Sequence, residues 1–204
     1  SKTLNGFIET DCTVINLAYL SGCDPAENLT AINNLADVCS RKKIRRLIHC
    51  STAVVVGRIS ENVVDEETEC NPIGQYEITK LAIEKLLIEK YGDLFEVIII
   101  RPASVFGPGG KNLLKLANSL ARGNRVVNYL KACLFNDRRM NLVSIENVVS
   151  AIESLIRYEK MSNDSEIFII SDDEDPSNNY RDVELSLMHG LNIRDYMLPV
   201  MPIP

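Results

Sequence analysis

The sequence predicts an α/β fold with a parallel sheet flanked by helices, and three observations predict it. Short apolar runs alternate with longer amphipathic ones along most of the chain. The apolar runs are uninterrupted rather than alternating, as expected of strands covered on both faces. The amphipathic runs carry start and stop signals of helices. At 204 residues, with 46% hydrophobic and 25% charged residues, the chain can bury a sizeable core.

The elements follow in order. CTVINLAYL (12–20) is short and β-branched, and reads as a buried strand. DPAENLTAINNLADVCSRKK (24–43) reads as a helix, with Asp24 as N-cap, Pro25 at the first helical position and basic residues at the end. RRLIHCSTAVVVG (45–57) is a second strand running into a small-residue loop, and the polar, acidic stretch 58–73 is a surface loop. QYEITKLAIEKLLIEKYG (75–92) is a second helix, apolar at Ile78, Leu81, Ala82, Ile83, Leu86 and Leu87 and closed by Gly92. FEVIIIRPA (95–103) is a third strand. Beyond Gly110, a helix is expected over 111–124, a strand over 140–145, a helix over 146–160, a strand over 166–171 and a helix over 180–192. A Pro-rich extended tail follows.

Composition excludes several classes. The formal charge of −6 argues against non-specific nucleic-acid binding, and RKKIRR (41–46), the one cationic run, reads as a helix end and strand entry. No apolar stretch approaches the ~20 residues needed to cross a bilayer, and no signal-peptide pattern opens the sequence. The 6 cysteines form no C-x-x-C pair, and neither of the 2 histidines stands at metal-ligand spacing. The expectation is a reducing, cytoplasmic setting with no metal and no disulfide. His49 lies inside a strand and reads as packed, and Arg101 reads as one half of a structural ion pair.

Ligands of parallel sheets bind beyond the carboxyl ends of the strands. Those ends carry Ala18–Tyr19, Ser51–Thr52 and Arg101–Pro102. Tyr76 and Lys80 lie one turn apart at the start of the second helix, so they share a face. A phenol is too weak an acid to serve as a base near neutrality, but an ammonium one turn away favours the phenolate. With Thr52 to hold a substrate hydroxyl, the three residues form a device that moves a proton on or off an alcohol while a hydride moves on or off its carbon.

Six segments in order give the sequence a family resemblance. INLAY (15–19) is similar to a strand end of the form I-H-L-A-A. NLTAINNLADV (28–38) is similar to the helix N-V-x-G-T-x-N-L-L-E-A. STAVVVG (51–57), YEITK (76–80), RPASVFGPGG (101–110) and LVSIENVVSAI (142–152) follow. Together they resemble the extended short-chain dehydrogenases/reductases of the nucleotide-sugar epimerase/dehydratase group. The resemblance implies a partial Rossmann-type doubly wound parallel sheet over 1–107 and a small C-terminal α/β substrate-binding part over 108–204, with 140–160 returning to the first domain. It implies an NAD(P)-dependent enzyme with Tyr76 as general acid/base, Lys80 on the nicotinamide ribose and Thr52 on the substrate hydroxyl. It implies cofactor contacts from Ala18, Asn28, Ser51, Pro102 and Val105, and substrate contacts from Ala53, Ser104 and Arg139, the substrate being a sugar nucleotide. It also implies a homodimer built on the tyrosine-bearing helix. A hydroxysteroid- or flavonol-type reductase shares Thr52, Tyr76 and Lys80, and a truncated, non-catalytic binding or regulatory subunit is the third alternative.

The sequence departs from the family's pattern in one large respect: no G-x-x-G-x-x-G occurs in it. Such a loop holds the cofactor pyrophosphate at a helix N-terminus. The first segments correspond to what would be the fourth strand, so the expectation is a fragment or shortened product lacking the first βαβ units. Val56 and Ser104 also stand where many members keep a tyrosine and an asparagine.

Overall fold

The computed structural model describes residues 4–58, 63–159 and 165–201. Parts of the expected acidic loop (59–62), the expected end of the helix at residue 160 and the last residues of the tail (202–204) lie outside them. In chain order the elements are β1 (Thr13–Asn16), α1 (Pro25–Lys42), β2 (Arg46–Cys50), α2 (Gln75–Tyr91), β3 (Glu96–Pro102), β4 (Ser104–Phe106), α3 (Leu114–Arg122), α4 (Arg125–Phe135), β5 (Leu142–Ser144), α5 (Ile145–Arg157), β6 (Glu166–Ile170) and α6 (Tyr180–Gly190). Short 3₁₀ turns occur at Leu4–Gly6 and Ala53–Val56. The chain divides into two compact units, Ser1–Pro102 with Val149–Ile170, and Ala103–Val148 with Ser171–Pro204.

The first unit is built on a four-stranded, wholly parallel sheet in the order β1-β2-β3-β6. Its central strands are apolar on both faces: Leu47, Ile48, Val97, Ile98, Ile99 and Ile100 are fully buried. Helices α1 and α2 cover one face, packing Ile32, Ala36, Ile83 and Leu87 onto Leu47, Val97 and Ile99. Helix α1 starts where the sequence predicts: Asp24 Oδ1 accepts the Ala26 N–H at 2.8 Å and Pro25 fills the first turn. It ends at Lys43, whose left-handed φ of 52° turns its N–H back to the carbonyls of Cys39 and Ser40.

Strand β1 is shorter than expected, while β2 runs into a small-residue segment as expected. Strand β1 stops at Asn16, because the Asn16 side chain accepts the Ala18 N–H at 3.3 Å and turns the chain out of the ladder. Strand β2 stops at Cys50, and Ala53–Val56 coils into the 3₁₀ turn capped by Thr52. Gly57 closes that turn at φ +76°, and a Cβ there would lie 1.9 Å from the Asn71 carbonyl oxygen, so only glycine fits.

The second unit contains a two-stranded parallel ladder, Ser104–Phe106 against Leu142–Ser144. The sequence reading does not anticipate α4. Gly123 ends α3, but Asn124 then restarts the chain as an N-cap, its Oδ1 accepting the Val126 and Val127 N–H groups at 2.8 and 3.3 Å. Helix α6 is capped by Asn179, which accepts the Asp182 N–H at 2.9 Å.

All six cysteines are free. Among the described residues no helix is long and apolar enough to cross a membrane.

Candidate active site

The carboxyl ends of β1 and β2 and the start of α2 meet at one rim of the first unit. Helix α2 is fixed there by Glu77, whose carboxylate accepts the N–H groups of Ile73 and Gly74 at 3.0 and 2.8 Å. Those two bonds hold the Glu77 carboxyl below its usual range. They also fix the first turn, so Tyr76 reaches the rim 43% exposed while Lys80, one turn later, is only 3% exposed.

Lys80 Nζ donates to the carbonyl oxygen of Cys50, the last residue of β2, at 2.8 Å. Burial pushes its pKa down, against the pull of Cys50 and Glu84. The Thr52 side chain stands near enough to the Tyr76 phenol to pull its pKa down, and its hydroxyl oxygen accepts the Val54 N–H at 3.5 Å. Thr52 therefore caps the turn after β2 while standing on the rim beside Tyr76. The Tyr76 pKa is nevertheless raised, first by burial and then by Cys50 and Tyr19, with Thr52 pulling the other way. The expected acidification by Lys80 is not found in this arrangement. The ammonium points to the Cys50 carbonyl, 6.0 Å from the centre of the Tyr76 ring.

Tyr19, to which the sequence reading gives no role, completes the cluster. Its ring centre lies 4.9 Å from that of Tyr76, nearly perpendicular at 83°, and 5.1 Å from Lys80 Nζ. The signal that could have found it is its place in INLAY, where the family pattern has a small alanine and this chain has a phenol.

The remaining predicted residues fall into three groups. Ser51 lies at the end of β2, its Oγ buried with no hydrogen-bond partner. Ala18 and Asn28 line a cavity of about 380 Å³ beside β1, together with Asn16, Tyr19, Ile32 and His49. Asn28 is a clamp: its side chain accepts the Leu20 N–H at 2.9 Å and donates to the Leu20 carbonyl at 3.1 Å, which holds the segment after β1. Ala53 opens the 3₁₀ turn and Pro102 ends β3. Ser104, Val105 and Arg139 belong to the second unit. There Ser104 and Val105 pair with Leu142 and Val143, and the Arg139 guanidinium donates to the Asp173 carbonyl.

Two buried groups below the rim are structural. Arg101 and Glu84 form the expected ion pair, 2.7 Å apart and almost wholly buried. His49 is 1% exposed and accepts from Asn16 Nδ2 through Nδ1 at 2.9 Å, and burial lowers its pKa to about 3, so the ring is neutral.

A nicotinamide cofactor fits this rim in part. Lys80 has donated one of its three N–H groups, and the Ser51 hydroxyl is unpaired, so both retain capacity to bind a ribose or carboxamide. The pyrophosphate half finds no Gly-rich loop in the sequence.

The sequence model of the NAD dependent epimerase/dehydratase family matches residues 13–171. The UDP-glucose 4-epimerase of Vibrio cholerae is 31% identical over 177 residues, which are 85% of this chain and 52% of that protein. The chain thus spans about half the length of that relative. The solved structure of UDP-N-acetylglucosamine 4-epimerase from Bacillus cereus superposes with a TM-score of 0.68 at 15% identity, over 99% of this chain and 72% of that one. The Bordetella bronchiseptica enzyme WbmG in complex with NAD and UDP gives 0.66 at 20% identity, over 94% and 60%. At these identities the structural likeness concerns the fold alone.

Proposed function

The chain belongs to the NAD dependent epimerase/dehydratase family, and from that premise we propose that it carries the proton-transfer part of an oxidoreductase acting on a sugar nucleotide. The observation that carries the proposal is the meeting of Tyr76, Lys80 and the Thr52-capped turn at one rim, with Lys80 Nζ bound to the end of β2 and 6.0 Å from the Tyr76 ring centre. Thr52 holds the substrate hydroxyl beside the Tyr76 oxygen. Tyr76 takes that proton in the oxidative direction and returns it in the reductive one. Its raised pKa keeps the resting phenol protonated, ready to donate. Lys80, released from the Cys50 carbonyl, supplies the positive charge against which a phenolate forms. Lys80, Ser51 and Ala18 hold the nicotinamide ribose end of NAD or NADP, and the nicotinamide, when bound, accepts or returns the hydride. The substrate class is supported by the relatives, which include a UDP-glucose 4-epimerase.

The test is to incubate the protein with NAD or NADP and with UDP-glucose or UDP-N-acetylglucosamine, reading reduced nicotinamide and the sugar products. Tyr76→Phe is expected to lower turnover by about 10²–10⁴-fold while leaving cofactor binding in place. A Tyr76→Phe protein that turns over as the unaltered one does defeats the proposal. Because the chain spans about half of its curated relative, calorimetry of NAD binding by this chain comes first.

A further inference from the structure

Tyr19 is held too firmly to be an incidental neighbour. The four residues after β1 are pinned at both ends: Asn16 Oδ1 accepts the Ala18 N–H, and the buried Asn28 amide bonds both the N–H and the carbonyl of Leu20. Between these anchors Tyr19 lays its ring against two functional groups at once, edge-to-face on Tyr76 and over the Lys80 ammonium. The ammonium has one carbonyl partner and aromatic rings around it, and no carboxylate among the described residues lies within ion-pair distance.

We propose that Tyr19 is the positioning residue of the Tyr76–Lys80 pair: its ring edge-packs the phenol, covers the ammonium, and so keeps both side chains on one rim before any ligand arrives. The proposal rests on the reading that Tyr76 and Lys80 are the proton-transfer pair. It goes beyond that reading by assigning their alignment to a residue outside α2. A face-on aromatic ring attracts a cation, and perpendicular rings prefer the centroid spacing found here. The ring alone is needed, so the Tyr19 hydroxyl is dispensable.

The experiment uses protein labelled with ε-¹³C-lysine and ring-labelled tyrosine, without cofactor or substrate. In the unaltered protein, nuclear Overhauser contacts are expected between the Tyr19 ring and both Lys80 Hε and the Tyr76 ring. In Tyr19→Ala, the Lys80 titration shifts from its position in the unaltered protein, as the ring over the ammonium is removed, and the Tyr76 ring loses its unique environment. Tyr19→Phe keeps both signals where they were. An unmoved Lys80 in Tyr19→Ala overturns the proposal, and so does Tyr19→Phe behaving like Tyr19→Ala. If circular dichroism shows Tyr19→Ala unfolded, the contacts in the unaltered protein decide, and their absence overturns it. No step of this test requires turnover. A chain with Tyr19-dependent Lys80 titration and no activity sinks the oxidoreductase reading while the positioning role stands.

Discussion

At the amino end of the sheet in the first unit, Arg46 is fully buried and fully employed. Its Nε donates to Glu96 at 2.7 Å, and its remaining N–H groups collect the carbonyls of Leu155, Ile156 and Tyr158 at and beyond the end of α5. A cation is well placed there, because unpaired carbonyls concentrate negative charge at a helix C-terminus. At the carboxyl end, Lys80 is buried almost as deeply, yet it has one carbonyl, two aromatic rings and, among the described residues, no carboxylate within ion-pair distance. Arg101, buried near Lys80's end of the sheet, resembles Arg46 in having a carboxylate of its own, Glu84. The arginines are cations paired with carboxylates, and they hold elements together. Lys80 is a cation left short of partners, with lowered pKa, and that is what chemistry can use.

The largest test of this contrast is Arg101→Met. It leaves the Glu84 carboxylate buried at 1% exposure with its partner gone. Removing one half of a buried pair costs about 3–5 kcal/mol. Urea denaturation of Arg101→Met is expected to fall in that range, and a loss below ~1 kcal/mol would break the division between structural and functional cations.

His49 tests the same rim through pH. Its folded pKa of about 3 lies below its ordinary value of 6.5, because the charged ring cannot be solvated in the core. The unfolded chain therefore binds the extra proton between those values, and stability falls as pH drops through the window. One such proton contributes a slope of about 1.4 kcal/mol per pH unit. Denaturation midpoints measured from pH 7 down to pH 4 should show His49→Phe losing that portion of the slope. Equal slopes in the two proteins would mean that His49 is not held neutral.

Most of the first unit was legible because its signals are local or periodic. The Asp24-Pro25 cap, the uninterrupted apolar run of β3 and the shared face of Tyr76 and Lys80 each follow from a few adjacent residues. What escaped depends on side chains that bond backbone out of sequence. The Asn16 turn and the Asn28 clamp shorten β1, although its composition continues to read as strand. Helix α4 was hidden because Gly123 looks like an end, and only the Asn124 cap shows that it is also a beginning. The shared face of Tyr76 and Lys80 follows from spacing, but their surroundings do not. Spacing puts an ammonium beside a phenol, but it does not say that the ammonium bonds a strand carbonyl instead, nor that burial outweighs attraction at Tyr76.

The smallest expected effect separates the two kinds of cation most sharply. In Lys80→Met the apolar stem is kept and the buried charge removed. One hydrogen bond to the Cys50 carbonyl is lost, worth about 1–2 kcal/mol where a charged donor is involved. Against that loss stands the desolvation that pushes the Lys80 pKa down. The unfolded lysine binds its proton more tightly than the folded one, so near neutral pH the charge destabilises the fold, and stability recovers as pH rises between the folded and unfolded values. The two effects offset, and Lys80→Met should lie within ~1 kcal/mol of the unaltered protein at pH 7, having lost the alkaline recovery. Arg101→Met makes the same replacement of a buried cation by an apolar stem and should differ from it by several kcal/mol. Equal losses in the two variants would mean that Lys80 is a structural cation like the arginines, and the rim would then lose its strongest claim to chemistry.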